Sequence, residues 1–271
     1  LVARLVNRNR LPLVFAPHSW SFEAVHGATA AAALRWERVA ARWTRRFICV
    51  SDAERDLGMR SRIHGRYVVA RNGIDVTALR PVPDRTTLRE SLGIGAAEVA
   101  LVCVGRLSEQ KGQDVLLAAW PHIQAPDRTL ILVGDGPDEA QLRASVADPT
   151  VRFVGHTERD VALQWLAAAD LVVLPSRWEG MALVPLESLA LGTPVVASDV
   201  NGTREVINDD VGALCPADDP QALASTVNAW LASPRPTARR DARARVVAGF
   251  DLAHTVETID RTLRSTVADS A

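Results

Sequence analysis

The feature that most constrains the fold of this chain is a regular alternation between short apolar runs and helix-like segments. The apolar runs are rich in Val, Ile and Leu and lie at residues 11–19, 47–51, 67–73, 99–105, 129–134, 151–155, 170–176, 193–198 and 212–215. Continuous runs of this kind, separated by helices, are typical of parallel strands that helices cover on both faces. The pattern therefore predicts an α/β fold with parallel, doubly wound sheets.

One break in this alternation predicts two domains. Pro81 and Pro83 interrupt the pattern, a short helix follows to about Leu92, and the alternation restarts after Gly95. The stretch at 220–267 is predicted to be helical throughout. The predicted parts are residues 1–80 as the C-terminal part of a first Rossmann-like domain, 81–94 as a linker, 95–248 as a second, complete Rossmann-like domain, and 249–271 as a helix that packs back toward the first domain.

Composition and length narrow the classes of protein that fit. About half of the 271 residues are hydrophobic, enough for two domains to have their own cores. A formal net charge of −1 gives no support to a nucleic-acid partner. No apolar run approaches the ~20 residues that span a bilayer, and Arg4 and Arg8 argue against a signal peptide. The three cysteines lack metal-ligand spacing. We expect a cytoplasmic protein without a metal site, whose true N-terminus is missing because the chain starts within a pattern and without Met.

The loop after the run at 99–105 has the composition of a pyrophosphate site. Ligands of doubly wound sheets bind beyond the carboxyl ends of the strands. Gly105 allows a ligand to approach the backbone, Arg106 and Lys111 add two cations, and Gly112 opens a helix whose N-terminus favours anions. Lys111 is the only lysine among 31 basic residues, which suggests a need for its compact ammonium group. The alternative is a solvated surface loop.

Two glutamates, Glu179 and Glu187, form the strongest local signal. Pro185 suits the first turn of a helix, so Glu179 is expected in the loop after the run at 170–176 and Glu187 in the first turn of a helix over 185–191. The helix dipole favours a carboxylate there, and that carboxylate can accept two hydrogen bonds from a ribose diol. The alternative is two unrelated glutamates.

Backbone groups complete the predicted cleft. The N–H groups of Gly180, Met181 and Ala182 can point into it, and Gly180 permits the bend that Glu179 needs. Gly134 and Gly136 form a tight turn that lines the cleft. This turn lacks the third glycine of a dinucleotide fingerprint, which disfavours an NAD-binding domain, and no Walker loop occurs in the chain.

Several blocks of the sequence, in order, resemble the family 4 glycosyltransferases of the GT-B fold. The resemblance runs from about Phe15 to Ile207 and is strongest in EGMALVPLESLALGTPVVAS. The other blocks are VSDAERD at 50–56, VVARNGID at 68–75, GRLSEQKG, LILVGDGP and VRFVGHT. It implies two Rossmann-like domains that face a cleft, the first on the acceptor side and incomplete, the second binding a nucleotide sugar.

The resemblance also implies roles for individual residues. Arg106 and Lys111 should hold the donor diphosphate, Glu179 should contact hydroxyls of the donor sugar, and Glu187 should bind the ribose. His18 matches the family's histidine that faces the donor sugar from the first domain. The implied catalytic set is Arg106, Lys111, Glu179 and His18. The implied nucleotide-sugar site is Gly105, Arg106, Lys111, Gly134, His156, Thr157, Glu179, Gly180, Met181, Ala182, Leu183 and Glu187, with the base near His156 and Thr157.

The implied activity is transfer of a sugar from a nucleoside diphosphate to a glycan or lipid-linked acceptor, with retention at the anomeric carbon. Synthesis of a polysaccharide, a glycolipid or a cell-envelope glycan is the expected setting. No cofactor other than the donor substrate is expected, and no metal, because Arg106 and Lys111 replace its charge. The family's common Phe-Gly is Met181-Ala182 here, which leaves the substrate open. The alternatives are a GT-B epimerase of UDP-sugars and a non-catalytic nucleotide-sugar-binding subunit.

A basic segment at residues 30–46 suggests a further partner. It carries five arginines, together with Trp36 and Trp43. A basic helix with tryptophans can lie on an anionic membrane, so peripheral contact with the inner membrane face is one interpretation. The other is an ordinary amphipathic helix that covers the sheet and keeps its arginines in water.

Overall fold

The computed structural model describes residues 11–79, 83–233 and 237–269. The interpretation of residues 1–10 and the predicted break at Pro81 lie outside these ranges. The first sheet consists of β1 (Val14–Phe15), β2 (Arg46–Cys49) and β3 (Arg66–Val69). The second sheet consists of β4 (Val99–Val104), β5 (Arg128–Val133), β6 (Val151–Gly155), β7 (Leu171–Leu174), β8 (Val195–Ser198) and β9 (Gly212–Cys215).

Helices connect the strands and cover both faces of the larger sheet. They are α1 (Gly27–Ala40), α2 (Asp52–Arg60), α3 (Arg85–Ser91), α4 (Gln113–Ala119), α5 (Glu139–Ala144), α6 (Arg159–Ala168), α7 (Leu183–Ala190), α8 (Thr203–Val206), α9 (Pro220–Ala232), α10 (Ala238–Gly249) and α11 (Leu252–Ala268). Side chains cap several N-termini: Asp84 caps α3, Asp219 caps α9 and Asp251 caps α11. Each cap satisfies a backbone N–H that has no partner within its helix. None of the helices in the described ranges combines the length and apolar character that crossing a membrane requires.

All strand pairs in both sheets are parallel, which confirms the predicted α/β fold. The larger sheet has the order β6-β5-β4-β7-β8-β9. Counted within this sheet, the order is 3-2-1-4-5-6, the arrangement of a Rossmann fold. The strand order therefore reverses between β4 and β7. Ligands of such sheets bind at that point, and the loops after these two strands carry the predicted site residues.

The core lies on both faces of the larger sheet. Along β4, Ala100 and Val102 pack in one apolar cluster, while Leu101 and Cys103 pack in the other. This alternation follows from the two-residue period of a strand, and both faces are apolar because helices cover both. The cysteines of the described residues are buried and free, as expected for structural thiols, and burial raises the pKa of Cys103 to about 12.

Two predicted elements differ from those observed. The first strand was expected over 11–19 but contains only Val14–Phe15, because His18 and Ser19 adopt positive φ angles of 53° and 91° and leave the extended conformation. The stretch at 220–267, expected to be helical throughout, is interrupted at Phe250 and Asp251, close to the predicted start of the last helix at residue 249. The side chain of Phe250 is buried between α10 and α11, and Asp251 then starts a new helix.

The last helix returns from the second domain to the first. At its start, the backbone N–H of Ile74 donates to the carbonyl of Phe250 over 3.0 Å. Thr255 donates to the carbonyl of Arg71 over 2.6 Å. At its end, Arg46 of β2 pairs with Asp269 over 2.6 Å. Helix α11 thus runs from the carboxyl end of the first sheet to its amino end.

Candidate active site

Glycines form the floor of the cleft where β4, β5 and β6 end. A Cβ atom on Gly134 would lie 2.2 Å from the carbonyl oxygen of Gly105, so only glycine fits there. On its other side, the N–H of Gly134 donates to the carbonyl of Gly155 over 2.9 Å. The three strand ends therefore meet backbone to backbone.

Lys111 and Glu179 meet across the topological switch point. Lys111 ends a short 3₁₀ turn, Glu109–Lys111, directly before α4, and its Nζ contacts Oε1 of Glu179. The Glu179 side chain is 11% exposed and that of Lys111 is 25% exposed. These two residues lie far apart in sequence but form one charged centre, because the loops after β4 and β7 are neighbours.

Hydrogen bonds between the Gln113 side chain and the backbone fix the loop that carries Arg106. This side chain is buried, donates to the carbonyl of Arg106 over 3.0 Å and accepts from the N–H of Ser108. The Arg106 side chain is exposed and has no side-chain partner in the part of the chain that the structure describes. Its guanidinium is therefore available to a ligand. Gln113 was not singled out from the sequence, where nothing marks it except its place at a helix start.

The segment from Gly180 to Ala182 presents uncommitted backbone donors. Within the described residues, none of its three N–H groups donates to a protein acceptor. The segment is fixed through other groups, since Asn72 donates to the carbonyl of Met181 over 2.7 Å. Free N–H groups directly before the N-terminus of α7 favour an anion or a hydroxyl. Leu183, also predicted for the site, is the first residue of α7 and is about half exposed.

Glu187 does not lie in the first turn of its helix, contrary to expectation. Helix α7 begins at Leu183, so Pro185 is its third residue and Glu187 its fifth. Proline is tolerated there because the first N–H groups of a helix lack partners anyway. The helix dipole therefore does less for Glu187 than expected. A residue that sequence reasoning missed compensates, since Arg159 donates to Oε1 of Glu187 from Nε over 3.0 Å and from Nη2 over 2.7 Å.

Arg159 begins α6 directly after the loop predicted to meet the base. In that loop His156 is exposed, and its Nδ1 lies 3.6 Å from an oxygen of Asp135. Thr157 is partly exposed. One end of the cleft thus combines the loop after β6 with Glu187 and Arg159, while Lys111 and Glu179 lie at the switch point.

The first domain contributes a strained turn to the cleft. A Cβ on Gly180 would lie 3.0 Å from the backbone N of Ser19 and 3.1 Å from the carbonyl carbon of His18. The turn is held by Glu54, which is fully buried and accepts from the N–H of Ser19 and, over 2.8 Å, from that of Val50. Burial raises the pKa of Glu54, and the two N–H donors oppose that rise. The His18 side chain itself is exposed.

Comparisons with known proteins agree with this arrangement. The family described as "Glycosyl transferases group 1" matches residues 98–233, and "Glycosyltransferase Family 4" matches residues 1–78. The lipopolysaccharide core biosynthesis mannosyltransferase LpsB of Rhizobium meliloti is 34% identical over 175 residues, which are 59% of this chain and 49% of that protein. The chain thus spans about half of the length of that relative.

A longer alignment and a solved structure extend the comparison. The α-maltose-1-phosphate synthase of Mycolicibacterium smegmatis is 32% identical over 287 positions, covering 91% of this chain and 71% of that protein. Anabaena HepE in complex with UDP and glucose superposes with a TM-score of 0.82 at 29% identity, covering 94% of this chain and 72% of HepE. Sequence blocks, strand order and relatives agree, and the chain belongs to the family 4 glycosyltransferases of the GT-B fold.

Proposed function

We propose that this chain carries the donor site of a retaining glycosyltransferase. The observation that supports this most is the contact of Lys111 with Glu179 at the topological switch point. It places a cation suited to a diphosphate beside a carboxylate suited to sugar hydroxyls. Free N–H groups at 180–182 flank the pair. The diphosphate is then expected between Arg106 and Lys111, and the ribose at Glu187.

The proposed reaction needs charge stabilisation more than a covalent nucleophile. The bond from the anomeric carbon to the phosphate oxygen breaks, and the acceptor oxygen bonds to the same face of that carbon. The acceptor proton passes to an oxygen of the departing diphosphate. Arg106 and Lys111 stabilise the negative charge that builds on this leaving group, which is the contribution a metal ion makes in other transferases. No cofactor beyond the donor takes part in this proposal.

The choice of donors to test comes from two similar proteins. HepE was solved with UDP and glucose, and its superposition on this chain supports a UDP-sugar as the first donor to test. The similarity to a mannosyltransferase makes GDP-mannose the second. Glu187 can bind the ribose of either, because ribose is common to both nucleotides.

A cavity between the domains supports a glycan as the acceptor. It has a volume of about 570 Å³ and lies between α2 and the loops after β7 and β8. Trp178, the residue before Glu179, lines it together with Asp56, Arg60 and Arg204. Carboxylates and guanidinium groups bind sugar hydroxyls, and an indole offers an apolar face to a sugar ring. The cavity therefore adjoins the place where the donor sugar is proposed to bind.

A product assay tests the proposal. The protein is incubated with radiolabelled UDP-glucose or GDP-mannose and a set of glycan and lipid-linked acceptors. We expect a labelled glycoside whose anomeric configuration, read by proton NMR, equals that of the donor. An inverted product would overturn the retaining mechanism. Conversion of the UDP-sugar to its epimer would indicate an epimerase, and nucleotide binding without turnover a non-catalytic subunit.

A further inference from the structure

A second charged pocket lies far from the donor cleft. It has a volume of about 600 Å³ and is found where β2 and β3 begin. The end of α11 closes one side of it through Asp269. The donor cleft lies at the carboxyl ends of the strands, whereas this pocket lies at the amino ends of the first sheet. The two sites are therefore separate.

The pocket carries an excess of positive charge. Four arginines line it, Arg42, Arg45, Arg46 and Arg66, and Asp269 is the one carboxylate among its described lining residues. That leaves three uncompensated positive charges in a chain whose net charge is −1. Like charges gathered in one pocket repel one another, so an anion that enters it relieves that repulsion.

The arginines divide into a held pair and a free pair. Oδ2 of Asp269 accepts from Arg46 over 2.6 Å and from Arg66 over 3.2 Å. Arg42 and Arg45 have no side-chain partner within the described residues, and both are exposed. One carboxylate oxygen thus fixes one side of the pocket, while the other side presents two guanidinium groups to solvent. Guanidinium groups bind phosphate oxygens with paired hydrogen bonds.

The tryptophans of this region pack against each other, and one of them forms part of the pocket wall. Trp43 lines the pocket, and its ring packs against that of Trp36 with centroids 6.3 Å apart. Both side chains are partly buried. We therefore base the interpretation of residues 30–46 as a membrane-contacting segment on its arginines and not on its tryptophans. Contact with a membrane through this region would be electrostatic.

We propose that this arginine pocket is a second anion site, which binds a phosphate group of a ligand other than the sugar donor. The phosphate belongs either to an anionic lipid headgroup or to a soluble phosphate compound, and the chemistry of recognition is the same. Binding weakens as salt rises, because exposed charges are screened over about 10 Å at 0.1 M salt.

The test compares the double variant Arg42→Gln and Arg45→Gln with wild type. A matched control replaces Arg240 and Arg264, which are exposed and lie outside the pocket, by Gln. One arm measures co-sedimentation with phosphatidylcholine vesicles that contain or lack phosphatidylglycerol. The other measures binding of inorganic pyrophosphate by calorimetry, where any binding at the donor site is common to all variants and the difference between variants reports on the pocket. Circular dichroism checks the fold of each variant.

We expect the double variant to lose about tenfold in affinity in at least one arm, as the loss of charged hydrogen bonds predicts, while the control keeps wild-type binding. Loss in the vesicle arm alone identifies a lipid headgroup as the source of the phosphate, and loss in the pyrophosphate arm a soluble compound. Wild-type binding by the double variant in both arms overturns the proposal. UDP affinity should stay unchanged in this variant, so the result does not depend on the proposed function.

Discussion

At the scale of single residues, two ion pairs of similar design lie in the proposed donor cleft. Lys111 contacts one oxygen of Glu179, and Arg159 contacts one oxygen of Glu187. In both pairs the carboxylate is the more buried partner, with its side chain 11% exposed in Glu179 and 12% in Glu187. Within the described residues, the second oxygen of each carboxylate has no hydrogen-bond partner. The proposed donor would thus meet two carboxylates that are already largely desolvated and oriented, a condition for strong stabilisation of charge in a transition state.

Replacement of Lys111 tests the diphosphate site. Lys111→Met should lower turnover by a factor of about 100 or more, since one preorganised donor to developing charge is worth about 3–4 kcal/mol. Lys111→Arg should recover only part of the activity, because a planar guanidinium cannot occupy the position of a compact ammonium group. Steady-state turnover is the measurement, with circular dichroism as the folding control. Wild-type rates in both variants would remove Lys111 from the site.

Separate replacement of the two glutamates tests their division of roles. Glu187→Ala should weaken binding of UDP or GDP by about 1–3 kcal/mol, the scale of hydrogen bonds to a charged group. Glu179→Ala should leave nucleotide affinity nearly intact and lower turnover. Calorimetry gives the affinities, and Arg159→Gln serves as a comparison that should cost less, because that arginine acts only through Glu187. Equal losses of nucleotide affinity in both alanine variants would contradict the assignment.

The sequence predicted which loops contain the candidate site residues, but not the residues that support those loops. The positions of Lys111 and Glu179 in the loops after β4 and β7 could be predicted, because each stands in a recognisable block after a strand; their roles stay predictions. Gln113, Glu54 and Arg159 could not be predicted, since their contacts bridge elements that are distant in sequence. The sequence of a helix does not show whether a glutamate in it is buried or exposed, because that depends on the elements packed against it.

At the scale of secondary-structure elements, Glu54 joins α2 to the turn that carries His18. Its two oxygens accept from the N–H groups of Ser19 and Val50, which follow different strands. Ser51 caps the same helix, because its hydroxyl accepts from the N–H of Glu54 over 3.0 Å. The Ser51 side chain thus caps the start of α2, and the Glu54 side chain holds a turn with two positive φ angles. Such strain persists only where the surroundings enforce it.

Glu54→Gln tests the contribution of these two hydrogen bonds to stability. The amide can accept from only one of the two N–H groups, so the free energy of unfolding should fall by about 1–3 kcal/mol. Burial raises the pKa of the wild-type carboxyl. A carboxyl group whose pKa is higher in the folded state than in the unfolded state favours folding when it is protonated. Glu54 therefore stabilises the fold below its unfolded pKa of about 4.3, and this stability is lost as pH rises through its folded-state pKa.

The Glu54→Gln variant has no carboxyl group to titrate at this position. The difference in the free energy of unfolding between wild type and this variant should therefore be larger at pH 4.5 than at pH 7.5. Urea unfolding at the two pH values measures it. An equal difference at both would show that the pKa of Glu54 is not raised.

The predicted elements differ from the observed ones mainly at their ends. The parallel strands of the second sheet could be predicted because continuous apolar runs have few other stable arrangements. The start of α7 could not, because a proline is compatible with several positions in a first turn. The burial of Phe250 between α10 and α11 could not be predicted either, because it depends on the tertiary structure.

At the scale of the whole molecule, α11 ties the two domains together through a close backbone contact. A Cβ on Gly73 would lie 2.6 Å from the carbonyl carbon of Asp251. Gly73→Ala should therefore displace α11 and lower the free energy of unfolding by about 1–3 kcal/mol, the usual cost of overpacking. Gly249→Ala is the matched control, because nothing lies within 4 Å of its added carbon. Thermal unfolding measures both, and equal midpoints would show that the contact does not matter.

The path of α11 has a consequence for the state of the first domain during synthesis. The ribosome produces the strands of the first sheet early, yet the helix that contacts Arg46 and Arg71 emerges only after the whole second domain. The surface of the first domain that α11 covers therefore stays exposed while about 180 further residues are synthesised. At rates of 5–20 residues per second, this interval lasts roughly ten to forty seconds. During translation, a chaperone has its longest opportunity to bind on that uncovered surface.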